Sequence, residues 1–127
     1  MGHPNLTLLV DSVIFIDHLA GLPQATEFLQ RNRHKVSVSV ITRAEVLAGF
    51  DPTDSELPGR LLDFFPTLSI DRDTADAAAA LRRSHGLKLP DAFQAALALQ
   101  HHLKLVTRDT RHFRPERLPF VFVPYSV

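Results

Sequence analysis

The chain has 127 residues, of which 45% are hydrophobic and 22% charged, with 14 basic and 14 acidic side chains and no cysteine. That is enough sequence for one domain with its own core and too little for two ordinary ones. Disulfides, thiol catalysis and cysteine-rich zinc centres are excluded, and the zero net charge gives the whole chain no attraction for polyanions.

Leu6–Val10 (LTLLV) is a short apolar run closed by Asp11 and reads as a buried strand. SVIFIDHLAG follows with helical spacing of Val13, Ile16 and Leu19 or Ala20 and Gly21 as its stop, and Pro23 opens a second helix, QATEFLQRNR. Val36–Val40 (VSVSV) alternates with period two and predicts a strand, after which Thr42 opens the short helix TRAEVLAGF. Residues 51–66 predict a polar loop and a helix, and Thr67–Ile70 a short strand. Asp73–His85 is an alanine-rich helix closed by Gly86, and Asp91–Leu103 is the next helix. Lys104–Thr107 and Phe120–Val123 are the last strands, separated by a basic loop. Strands alternate with helices throughout. The fold class is therefore α/β, a single domain over residues 1–127 whose mostly parallel central sheet of about five strands carries helices on both faces.

Two kinds of segment lie outside this pattern. No basic stretch followed by a long apolar run stands at the N-terminus, so no signal peptide is expected, and no apolar run approaches the roughly 18 residues of a membrane helix. A cysteine-free chain of this kind suits a reducing cytoplasm.

Charge is unevenly spread. Residues 1–80 hold six basic and eleven acidic side chains, whereas residues 81–127 hold eight and three. Such polarity suits either a solvated surface or a polyanion held beside an acidic pocket.

In an open parallel sheet, ligands collect beyond the carboxyl ends of the strands. Four acids belong there or at adjoining helix starts: Asp11 directly after the first strand, Glu45 in the helix after VSVSV, Asp91 at the start of its helix, and Asp109 two residues past a strand end in VTRDTRHF. Gathered in one place they would repel strongly, a cost that a divalent cation removes. Hard oxygen donors without cysteine suit Mg2+ or Mn2+. Each acid also has a purely local reading: Thr42-Arg-Ala-Glu45 as a capping box, Asp91 and Asp11 as helix caps, Asp109 as a turn former. His101 and His102 are adjacent and point apart, so they form no metal pair, and Asp17, Asp73 and Asp76 read as solvent-facing. No nucleophile elbow, phosphate-binding P-loop or dinucleotide fingerprint is present.

Four segments in order, LLVDSVIFID, SVITRAEVLAG, HGLKLPDAFQAALAL and LKLVTRDTRHF, resemble the acid-bearing motifs of PIN-domain ribonucleases, and among these the VapC-type toxins of toxin–antitoxin pairs. The resemblance covers nearly the whole chain. It implies a metal-dependent endoribonuclease acting on structured RNA such as tRNA or rRNA, with Asp11, Glu45, Asp91 and Asp109 as catalytic, metal-holding acids. It also implies an Mg2+ or Mn2+ cofactor, a cognate VapB-type antitoxin, a homodimer and no membrane partner. Ser12 and Thr107 are candidate donors that orient the acids, and Arg108, Arg111 and Arg114 are candidates to grip an RNA backbone. Two positions depart from the family pattern: Val13 stands where a small polar residue is usual, and His112 where an acid is common. A non-toxin PIN nuclease of RNA processing and a catalytically silent PIN-like binding module remain alternatives. A phospho-receiver domain fits less well, because no adjacent acidic pair follows the first strand.

Overall fold

The computed structural model describes residues 5–54 and 56–127. In chain order the elements are β1 (Leu8–Val10), α1 (Ser12–Leu19), α2 (Pro23–Asn32), β2 (Val36–Ser39), α3 (Val40–Ala48), a 3₁₀ turn (Pro52–Asp54), α4 (Glu56–Asp63), β3 (Thr67–Leu68), α5 (Arg72–His85), α6 (Leu89–Gln100), β4 (Lys104–Val106) and β5 (Val121–Phe122). The expected alternation is present, with shorter strands.

Two helix starts differ from expectation. α3 begins at Val40 rather than Thr42, because Ser39 is its N-cap and accepts the Thr42 N–H at 3.0 Å. The capping box expected from Thr42 to Glu45 therefore does not form, and Glu45 lies beyond the first turn. α6 begins at Leu89 with Pro90 in its first turn, where the missing N–H costs nothing. Lys88, not Asp91, holds the cap position. α5 starts with a capping box between Asp71 and Thr74 and ends, as expected, on Gly86 in the left-handed region at φ 66°.

The strands form one sheet in the order β3-β2-β1-β4-β5, every pair parallel. Alternate residues feed opposite faces, as the pleat requires. Val10, Val36, Val38 and Val106 join Ile14, Phe15, Leu29, Val46 and Leu62 from α1 to α4 in one core. Leu9 and Leu105 point the other way and pack with Leu97 and Ala98 of α6, Phe113 and Leu118. The alanines of α6 have a packing reason: Ala92, Ala95 and Ala96 meet Ala78 of α5 and Leu87, and their small side chains let the two helices lie close.

The chain leaves β1 toward β2 and β3 on one side and later returns to place β4 and β5 on the other. Strand order thus reverses beside β1, and a crevice opens past the carboxyl ends of β1 and β4. The Asp11 N–H donates to the Val106 carbonyl at 2.9 Å and ties those two ends together.

Asp17 corrects the sequence reading most clearly. It is buried, with 8% of its surface exposed, and it accepts two hydrogen bonds from Arg108, at 2.6 and 2.8 Å, and one from the Tyr125 hydroxyl at 2.8 Å. Asp73 and Asp76 are exposed, as expected. The Asp17 cluster fastens the segment after β4 and the C-terminal tail onto α1. The Arg108 bonds hold the Asp17 carboxyl below its ordinary value, against the opposing effect of burial. A lowered carboxyl contributes stability above the unfolded-state value, near 3.9, and loses it as pH falls through the lower folded-state value. Asp17→Asn is expected to cost about 2–3 kcal/mol in urea unfolding at neutral pH, with the difference from the parent shrinking in strong acid.

Candidate functional site

Asp11 is the deepest of the four acids, with 7% of its surface exposed at the head of β1. As N-cap of α1, one of its oxygens accepts the Ser12 N–H at 2.8 Å. Its other oxygen accepts the Thr107 hydroxyl at 2.8 Å, and Thr107 in turn accepts the Asp109 N–H at 3.0 Å. Capping and site building coincide in this residue. Ser12 through its N–H and Thr107 through its hydroxyl thus both donate to Asp11, and the Ser12 hydroxyl lowers the proton affinity of Glu45.

Sequence reasoning misses Gln94, which is 1% exposed. Its Nε2 donates to the Thr42 hydroxyl at 2.8 Å and, at a longer 3.4 Å, to Asp11. Its Oε1 accepts the Ser39 hydroxyl, and Ser39 also caps α3. A single polar network therefore lies beneath the crevice and touches all four acid-bearing segments. Thr42 and Glu45 are three residues apart on α3, and Asp91 and Gln94 three apart on α6, so each buried anchor sits beside an acid of its own helix. The available signal was one amide in an otherwise apolar run, AFQAALA, at that spacing from Asp91.

Asp11, Glu45, Asp91 and Asp109 line one open cleft of about 500 Å³ together with Arg108, Arg111 and His112. Burial pushes the Asp11 carboxyl up, against its three hydrogen bonds, and Asp109 adds to the rise. Asp91 rises through burial and then through the Asp11 charge, with His112 pulling it down. Glu45, at the solvent-exposed mouth, rises through partial burial and then through Asp11 and Asp91. The four carboxylates thus feel one another. Asp109 is the most engaged locally: it accepts the His112 N–H at 3.3 Å and pairs with the His112 ring at 2.7 Å, so the expected turn is present.

The three arginines separate. Arg108 is committed to Asp17 through two of its nitrogens, which withdraws it from the free basic surface expected of it. Arg111 lines the cleft, and Arg114 stands in an adjoining cavity with its Nε held by Glu116 at 3.0 Å. Val13 packs partly into the core beside the cleft wall.

The PIN domain family model matches residues 8–118. The chain belongs to the PIN-domain family. It is 34% identical over 113 residues to Ribonuclease VapC10 of Mycobacterium tuberculosis, spanning 84% of this chain and 85% of that protein. It is likewise 34% identical over 116 residues to Ribonuclease VapC19 of the same organism, spanning 83% and 90%. Among solved structures, a toxin–antitoxin complex from Klebsiella pneumoniae superposes with a TM-score of 0.84 at 34% identity, over 95% of this chain and 100% of that one. DNA-bound VapBC from Salmonella typhimurium, at 21% identity, shares the fold with a TM-score of 0.78, over 91% of this chain and 95% of that one.

The donors in this PIN domain suit a hard cation. Among the described residues no three acids or histidines are gathered tightly enough to ligate one ion directly. What the cleft offers is carboxylate oxygen around an open volume of about 500 Å³, which fits an ion that keeps several of its waters, as Mg2+ does. Asp11, Glu45, Asp91 and Asp109 are the side chains of the cleft that could supply such oxygens.

Two measurements check this electrostatic picture. Raised carboxyls bind protons more tightly in the folded than the unfolded state, so stability falls as pH climbs from the ordinary carboxylate range through the raised values. Asp91→Asn removes one of the repelling charges and is expected to raise Tm at neutral pH in chelator and to flatten that decline. Gln94→Leu strands the Ser39 and Thr42 hydroxyls and is expected to cost about 1–3 kcal/mol in urea unfolding.

Proposed function

We propose that this PIN domain is a divalent-metal-dependent endoribonuclease, the VapC-type toxin of a toxin–antitoxin pair, acting on structured RNA. One observation carries the reading: acids from four separate segments line a single cleft at the strand-order reversal, above a buried network that fixes the innermost of them. The ribonuclease names of relatives at 34% identity support the same chemistry. The toxin–antitoxin complex from Klebsiella pneumoniae supports a VapB-type partner.

Asp11 and Asp91 would hold the ion, and Mg2+ or Mn2+ held there would supply a more acidic water and neutralise phosphate charge. The protein's own residues do the positioning. Thr107, the Ser12 N–H and Gln94 keep the Asp11 carboxylate in one orientation. Glu45, at the open mouth with a raised carboxyl, is placed to orient a water and receive its proton. His112 anchors Asp109, so Asp109 supplies charge to the cleft wall from a fixed position. Without a counter-ion the cleft repels the phosphate it is to cut, so binding of the cation and entry of the scissile phosphate are coupled.

Incubation of purified protein with labelled structured RNA tests the proposal. Cleavage is expected with Mg2+ or Mn2+, with none in chelator and a loss of at least about a hundredfold in Asp91→Asn. Cleavage that survives both chelation and the substitution contradicts the site. No cleavage of any RNA, together with no Mn2+ binding, favours a silent binding module.

A further inference from the structure

Beside the acid cleft lies a second cavity of about 240 Å³ with the opposite charge. It is walled by the turn between α5 and α6 and by the segment following β4, and Lys88, Arg111, Arg114 and Arg117 reach into it. Asp91 is the only acid among its lining residues, and Asp91, Arg111 and His112 line both cavities. Counting only Lys, Arg, Asp and Glu, the lining carries four positive charges and one negative here, against two positive and four negative in the acid cleft.

These cations are not consumed by the fold. Among the described residues, Lys88, Arg111 and Arg117 have no ion-pair partner, in contrast to Arg108, which is locked to Asp17, and Arg114, which shares Glu116. Three unpaired cations converging on one concavity cost electrostatic repulsion, and an anion removes that cost. Lys88 also leaves the first turn of α6 without a side-chain cap, so the partial positive charge of the helix start faces the same place, offset in part by Asp91 in that turn. Gly86, in the left-handed conformation, turns the chain sharply at the cavity wall and brings Lys88 round to it.

We propose that this cavity is a metal-independent subsite for a backbone phosphate of the RNA, next along the strand from the phosphate in the acid cleft. The proposal rests on the nuclease reading and adds a division of labour to it. A polyanion laid across the shared wall of Asp91, Arg111 and His112 meets one cavity that accepts phosphate only with a divalent cation and one that accepts phosphate bare. The RNA grip thereby moves from the Arg108 end of the loop to Lys88, Arg111, Arg114 and Arg117.

The test is fluorescence-anisotropy binding of a short labelled single-stranded RNA to the whole protein in chelator, where the metal-dependent reaction is off, across a salt series. The variant Lys88→Gln/Arg117→Gln alters two exposed side chains. It is expected to weaken binding about tenfold at low salt and to reduce the slope of log affinity against log salt by about 0.7, the increment for the one backbone phosphate that is no longer neutralised. The charge-matched control is Lys35→Gln/Lys104→Gln, two exposed lysines that line a different cavity at the amino ends of β1 and β4. It is expected to leave both quantities within about twofold of the parent. Equal weakening by the two double variants, or none by the first, overturns the subsite. Failure of the two readings is distinguishable. Metal-dependent cleavage with unchanged binding in Lys88→Gln/Arg117→Gln removes the subsite alone. Site-selective binding by a protein that cleaves no RNA with Mn2+ removes the nuclease reading and leaves the subsite.

Discussion

The structure is organised around one buried carboxylate. Asp11 ends β1 at the centre of the sheet, where burial penalises its charge and where the strands beside it lead to opposite edges. A charge in that position persists only if its oxygens are satisfied. Thr107, the Ser12 N–H and Gln94 do this, and each comes from a different stretch of chain. The requirement to solvate one acid from inside the protein therefore draws together the ends of β1 and β4 and the starts of α3 and α6. The other three acids arrive in the cleft as passengers on those same segments.

That arrangement explains why the cleft is stable as a fold and unfavourable as a charge distribution. The network below is fully paired: among the described residues no buried side-chain nitrogen or oxygen lacks a partner. The carboxylates above it raise one another's proton affinity. Strain of this kind, rigid below and repulsive above, suits a place where a cation completes the structure. The adjoining basic cavity carries the opposite excess, so the two lie as complementary halves along one face. The zero net charge of the whole chain conceals both.

Legibility followed sequence distance. The strand and helix alternation, the single α/β domain and the four acids at strand ends and helix starts were readable because each leaves a local mark: an apolar run closed by Asp11, a glycine after α5, a proline before Asp91. Local rules then failed where a distant partner decided the outcome. VSVSV reads as a five-residue strand, yet Ser39 is drawn into the cap and network and α3 starts one residue later. Asp17 has an ordinary place in an amphipathic helix, and its burial depends on Arg108 and Tyr125, 91 and 108 residues away. The same pairing removed Arg108 from the free basic surface. Gln94 was hidden among alanines because nothing within its own helix shows that Ser39, Thr42 and Asp11 lie opposite it.

The proposed binding of a divalent ion by Asp11 and Asp91 is tested directly by anomalous diffraction from crystals of the protein equilibrated with Mn2+. Mn2+ density is expected in the cleft with the Asp11 and Asp91 carboxylates as ligands, direct or through one water, and is expected to disappear in Asp91→Asn crystals. Fully occupied Mn2+ elsewhere on the molecule with none in the cleft, or cleft density indifferent to that substitution, would contradict it.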